Sequence, residues 1–141
     1  MSHENCIFCS IIQGDIPSAK VFENDDVYAF LDLSQVTEGH TLVIPKKHEE
    51  DIFSLQPETA ASLFRHVPEI ANAIDKTFSP KGLNVVNNNR EYAGQSVFHY
   101  HLHLLPRHGD EDGFASKWEE NGSRYSKEDL TRIAGSIAEN L

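Results

Sequence analysis

The sequence predicts an α+β fold with a mainly antiparallel five-stranded sheet, one long helix and a C-terminal helix. Two observations carry this. Five short segments have the β-branched and aromatic composition of strands, whereas residues 57–78 carry a helical period instead. The order along the chain is short helix, hairpin, strand, long helix, strand pair and tail helix, which reads as a layered α+β protein with its helices packed on one face of the sheet.

Residues 6–13 form the first, short helix, closed by Gly14 and Pro17. The runs KVFE (20–23) and VYAFLD (27–32) are strands around Asn24-Asp25-Asp26, a hairpin signal. HTLVIPK (40–46) is a third strand, rich in β-branched residues before Pro45. Pro57 suits the first turn of the long helix, and Leu63, Val67, Ile70 and Ile74 recur at helical spacing on one side of it. GLNVVNN (82–88) makes a fourth strand and residues 98–105 a fifth. Ser126-Lys127-Glu128-Asp129 is a capping-box pattern opening a last helix through Ile133 and Ile137. With 141 residues, no repeats and no linker, residues 1–141 are expected to form a single domain, with the motifs in 6–107 and a tail from 108.

Composition narrows the function. Lys and Arg number 12 against 22 Asp and Glu, a formal charge of −10. A general nucleic-acid coat needs a basic footprint, so a nucleic-acid polymer is not the expected partner. A phosphate ligand would have to be handled locally, by histidines and backbone N–H groups. The aliphatic runs, such as LVI at 42–44, are too short to span a membrane, and the start, MSHENCIFC, reads as no export signal. A cytoplasmic location follows as the expectation. The two cysteines, Cys6 and Cys9, are too close for a useful structural loop, and a CxxC in that compartment points to metal or redox chemistry.

The segment FHYHLHLLPR (98–107) places His99, His101 and His103 at strict two-residue spacing. On a strand these rings share one face, while Phe98, Tyr100, Leu102 and Leu104 line the other, apolar and therefore buried face. At roughly 3.3 Å per residue, His99 and His103 lie about 13 Å apart along the backbone. Three rings so spread cannot all ligate one small ion, so this face serves at least two purposes. A plain solvated face would carry Lys, Glu and Thr instead.

GQSVFHYHLHLLPR resembles the signature of the histidine triad (HIT) superfamily. CIFCSIIQGDIPSAKVFENDDVYAFLD and GHTLVIPKKH resemble two further stretches of the same family, so the likeness covers roughly residues 6–107. The combination is more specific than HxHxH alone. It points to the small bacterial, zinc-carrying branch of nucleoside phosphoramidase and dinucleoside polyphosphate hydrolase type, although the tail with Trp118 resembles that branch only loosely. The resemblance implies the HIT-like fold and a purine nucleotide substrate, cleaved at the α-phosphate. His101 would be the nucleophile, attacking phosphorus to form a covalent nucleotidyl-histidine that water hydrolyses, with its other ring nitrogen pinned by the backbone carbonyl of His99. His103 would contact the phosphate and stabilise developing charge. His40 would support the nucleophile or the leaving-group side. Gln95 and Ser96 would hold phosphate oxygens or the bridging atom, Gly94 would allow close backbone approach, and Asn88 would place an amide near the phosphate. Asp32 would accept the ribose hydroxyls. Phe8 and Phe30 would flank the base, and each also reads as ordinary core.

Cys6 and Cys9 need two more ligands for a closed zinc site, and candidates are His48 and one of the triad. The resemblance implies Cys6, Cys9, His48 and His99, a structural site with no position open to water, and no organic cofactor. His3, His66 and His108 read as surface residues without partners. The family also implies a homodimer. Two other functions stay open: a zinc-stabilised nucleotide-binding regulatory module whose catalysis is incidental, and a metal-dependent hydrolase using the histidines as catalytic ligands. The lack of clustered carboxylates in the sequence counts against the latter.

Overall fold

The computed structural model describes residues 5–141; His3 lies outside them. Its elements are α1 (Ile7–Gln13), β1 (Lys20–Glu23), β2 (Val27–Leu31), β3 (Thr41–Pro45), α2 (Pro57–Phe78), β4 (Gly82–Val86), β5 (Leu102–Arg107) and α3 (Lys127–Ala138). The strands form one sheet in the order β1-β2-β3-β5-β4, with every neighbouring pair antiparallel. The α+β reading with five strands therefore holds. None of the helices among the described residues is long and apolar enough to cross a membrane.

Local chemistry explains the boundaries. Cys6 caps α1 by accepting the Cys9 N–H on its sulfur, and Gly14 ends the helix at φ 85°, a left-handed conformation open to glycine. The Asn24 side chain accepts the N–H groups of Asp26 and Val27, which turns β1 into β2. At α3 the expected capping box is present: the Ser126 hydroxyl accepts from the Asp129 N–H, and the Asp129 carboxylate accepts from the Ser126 N–H.

Helices lie on both faces of the sheet, not on one. Leu63, Val67, Ile70 and Ile74 of α2 pack with Val27, Ala29, Val43, Leu102 and Leu104 on the first face. Phe8, Cys9 and Ile11, carried by α1, pack with Tyr28, Phe30, Leu42 and Ile44 on the second. The central strands are consequently apolar on both sides, and all of β3 is buried. No residue of α3 is buried.

The fifth strand is shorter than expected and begins only at Leu102. The β3–β5 ladder runs Thr41↔Leu104, Leu42↔His103, Val43↔Leu102 and then stops. The next like-placed pair would oppose Tyr100 to Pro45, which has no N–H to give. The Tyr100 N–H donates instead to the Glu49 carbonyl at 2.7 Å. Tyr100 still reaches the α2 face and is buried, but Phe98, expected on that buried face, is 46% exposed. The two-residue alternation outlasts the ladder as far as Tyr100 and fails at Phe98.

Candidate active site and metal centre

Register builds the floor of the site. Phe30 pairs with Leu42, and Leu42 with His103, so these three side chains form a row across β2, β3 and β5 on the α1 face. Phe8 reaches down from α1, edge-on to Phe30 at 5.5 Å and to the His101 ring at 5.2 Å between centroids. The result is a cavity of about 310 Å³, within the usual range for small-ligand sites, lined by Phe8, Phe30, Asp32, Ser96, His101 and His103 among others. Phe8 and Phe30 are thus both core residues and cavity walls.

The tautomers follow from the hydrogen bonds. His101 Nδ1 lies 2.8 Å from the His99 carbonyl and must donate to it, which leaves the Nε2 lone pair free. The Val36 N–H donates to His40 Nδ1, so the proton of neutral His40 sits on Nε2, 2.9 Å from His103 Nδ1. His103 Nδ1 accepts that proton's bond, and its own proton is therefore on Nε2. Burial lowers the pKa of all three rings. For His103, burial comes first and the charges that His101 and His40 would carry come next, pushing it down to about 4. The neutral form is therefore favoured at pH 7 for all three rings. The site offers one unprotonated nitrogen, on His101, beside one N–H donor, on His103.

Asp32 lines the cavity with one oxygen taken by the Ser34 N–H at 2.7 Å and the other 3.7 Å from His40 Nε2. Asp32, His40 and His103 thereby gather a carboxylate and two imidazoles whose ligand atoms lie within 4.8 Å of one another, a cluster not visible in the sequence. The tautomers argue against a catalytic metal there, because His40 presents a proton, not a lone pair, to the other two.

The residues of the loop before His99 divide. Ser96 lines the cavity. Gly94 sits at φ 97° with the Asn88 side chain as its nearest neighbour, so glycine is required by conformation more than by crowding. Gln95 does not face the cavity as the sequence suggested. It is buried, its Oε1 accepts the Arg90 N–H, and its Nε2 donates to the carbonyls of Glu50 and Val97. Asn87, which sequence reasoning missed, donates to the His101 carbonyl at 2.9 Å, and Asn89 donates to Asn87. These amides replace the absent ladder beside His101.

On the other side of Phe8, the Sγ atoms of Cys6 and Cys9 and a ring nitrogen each of His48 and His99 lie within 4.8 Å of one another. His99 Nδ1 is 3.5 Å from Cys6 Sγ and 3.6 Å from Cys9 Sγ, and His48 Nδ1 is 3.3 Å from Cys9 Sγ. His99 Nε2 donates to the Pro45 carbonyl at 2.7 Å, which turns the Nδ1 lone pair towards the sulfurs. The cluster could hold a metal ion. His66 and His108 are not the free surface rings expected. His66 bonds Asn24 and Glu69 and packs on Phe22, while His108 donates to the Glu38 carbonyl.

With the HIT domain model matching residues 13–110, this chain belongs to the HIT domain family. It is 58% identical over 138 residues to the protein hit of Bacillus subtilis, covering 98% of this chain and 95% of that one. The crystal structure of a HIT family protein from Bacillus anthracis superposes with a TM-score of 0.97 at 55% identity, covering 99% of each chain. A further relative, 34% identical over 130 residues (89% of this chain, 86% of the other), is an adenosine 5'-monophosphoramidase of Candida albicans. A zinc-bound histidine triad family protein from Mycobacterium smegmatis is 35% identical with a TM-score of 0.73, covering 94% of this chain and 97% of that one.

Proposed function

We propose that this protein is a cytoplasmic nucleotide hydrolase or transferase that cleaves nucleoside phosphoramidates or dinucleoside polyphosphates at the α-phosphate through a nucleotidyl-histidine on His101. The observation that carries the reading is the pinned tautomer: His101 donates from Nδ1 to the His99 carbonyl, so its lone pair on Nε2 is available beside the cavity. Nε2 attacks phosphorus, the bond to the leaving group breaks, and its electron pair departs with that group. His103, held by His40, donates from Nε2 to a phosphate oxygen as charge develops. Water then cleaves the nitrogen–phosphorus bond and frees the nucleoside monophosphate and His101.

The other residues bind. The Asp32 carboxylate accepts ribose hydroxyls, Phe8 and Phe30 flank a purine base, and Ser96 with Asn88 and the Gly94 backbone contacts phosphate. Gln95 serves by holding this loop to Glu50. Around a tetrahedral zinc, ligand atoms stand roughly 3.3–3.8 Å apart. The contacts of 3.3, 3.5 and 3.6 Å within Cys6, Cys9, His48 and His99 fit that spacing, and we assign the cluster to structural zinc. Bound there, zinc would tie α1 to the segment before β5. The chain would act as one domain and pair as a homodimer.

His101→Gly tests the reading. Turnover of adenosine 5'-phosphoramidate and of diadenosine tetraphosphate should be lost while binding of adenosine monophosphate survives. Full activity in the variant overturns it.

A further inference from the structure

Arg90 has φ 73° and ψ 155°, backbone territory that is essentially reserved for glycine. The surroundings enforce this conformation. The Arg90 N–H donates to Gln95 Oε1 at 2.6 Å, and the Arg90 carbonyl receives the N–H groups of Ala93 and Gln95. Gln95 is itself buried and tied to the Glu50 and Val97 carbonyls. A costly backbone state that is so thoroughly held, in a residue that is not glycine, asks what the side chain is for.

The guanidinium lies 4.1 Å from the centroid of the Phe53 ring, which is 66% exposed. Stacking of this kind holds a guanidinium in place and leaves its N–H edge for an oxyanion such as phosphate. The position matters for two reasons. Arg90 is bonded to Gln95, whose neighbour Ser96 lines the cavity with His101 and His103. It is also the single Lys or Arg between residues 82 and 106 of a chain whose net charge is −10. An acidic protein that handles phosphate beyond the histidines needs a local cation, and Arg90 is the cation of the loop that leads into Ser96.

We propose that Arg90, braced on Phe53, is the subsite for a phosphate-bearing leaving group, and that it tilts the enzyme towards dinucleoside polyphosphates over phosphoramidates with uncharged leaving groups. This rests on the proposed function. When the bond from phosphorus to the bridging oxygen breaks, that oxygen keeps the electron pair, and the released nucleoside polyphosphate gains a negative charge that a guanidinium stabilises. A small amine leaving group gains no such benefit.

The test compares wild type with Arg90→Gly, Arg90→Lys and Phe53→Ala on diadenosine tetraphosphate and adenosine 5'-phosphoramidate. Glycine suits the observed φ, so Arg90→Gly should melt at or above the wild-type temperature, which removes misfolding as an explanation. The ratio of kcat/KM for the tetraphosphate over that for the phosphoramidate should fall about tenfold or more in Arg90→Gly, with partial retention in Arg90→Lys and a smaller fall in Phe53→Ala. Raising the salt concentration should narrow the wild-type ratio and leave that of Arg90→Gly flat. An unchanged ratio in Arg90→Gly overturns the proposal. Binding gives the same readout without turnover: the affinity for diadenosine tetraphosphate relative to adenosine monophosphate must fall in Arg90→Gly, and an equal ratio overturns the subsite. Failure of the catalytic reading appears separately, as wild-type protein without turnover of either substrate.

Discussion

Acidification should leave His103 neutral long after an ordinary histidine has taken up a proton. Its pKa is pushed from 6.5 to about 4, first by burial and then by the charges His101 and His40 would carry. At pH 5 a histidine with the ordinary value would be about 97% protonated, whereas His103 would be only about 9% protonated. Burial also lowers His40 and His101, so the three rings resist acid together. The unfolded chain binds these protons near pH 6.5 and the folded chain only at lower pH. The stability carried by the neutral rings is therefore complete above pH 6.5 and declines as pH falls towards 4. The rings can be followed by NMR titration of labelled histidines, alongside kcat/KM from pH 4 to 8. The His103 resonance should move near pH 4, and the acid limb of kcat/KM should lie below pH 6.5. Adding adenosine monophosphate should raise the His103 midpoint, because a phosphate anion favours the protonated ring. A His103 titration centred on 6.5 in the free protein would refute the reasoning, since it would mean that water reaches the ring.

Two further perturbations probe the scaffold. Cys9→Ala removes the sulfur that contacts both His48 and His99, so zinc content by atomic spectrometry should fall well below one equivalent and the unfolding free energy by several kcal/mol; undiminished zinc would exclude this donor set. Asn87→Ala takes the amide from the His101 carbonyl, at a cost of about 1 kcal/mol in stability, and should lower kcat by about tenfold with little change in the affinity for adenosine monophosphate. Unaltered kcat would show that the segment before β5 is held well enough without it.

What was legible in the sequence was whatever depends on neighbours along the chain. The periodicity of Leu63, Val67, Ile70 and Ile74 marked the buried stripe of α2, and the Ser126 capping box marked the start of α3. The spacing of the three histidines also showed that they could not share one target. The structure divides them: His99 faces the cysteines, while His101 and His103 lie with ring centroids 5.0 Å apart at the cavity. Gln95 shows the limit. Its position between Gly94 and Ser96 suggested a ligand contact, yet only the fold brings the Arg90 N–H and the Glu50 and Val97 carbonyls to it. Asn87 and Phe98 show the same limit from the other side, because Pro45, far away in sequence, is what denies the ladder to residues 98–101. Periodicity and capping are set by contacts a few residues apart, which local sequence encodes. The tautomers, the depressed pKa of His103 and the strained Arg90 depend on groups that meet only when distant segments pack, and those the tertiary structure alone decided.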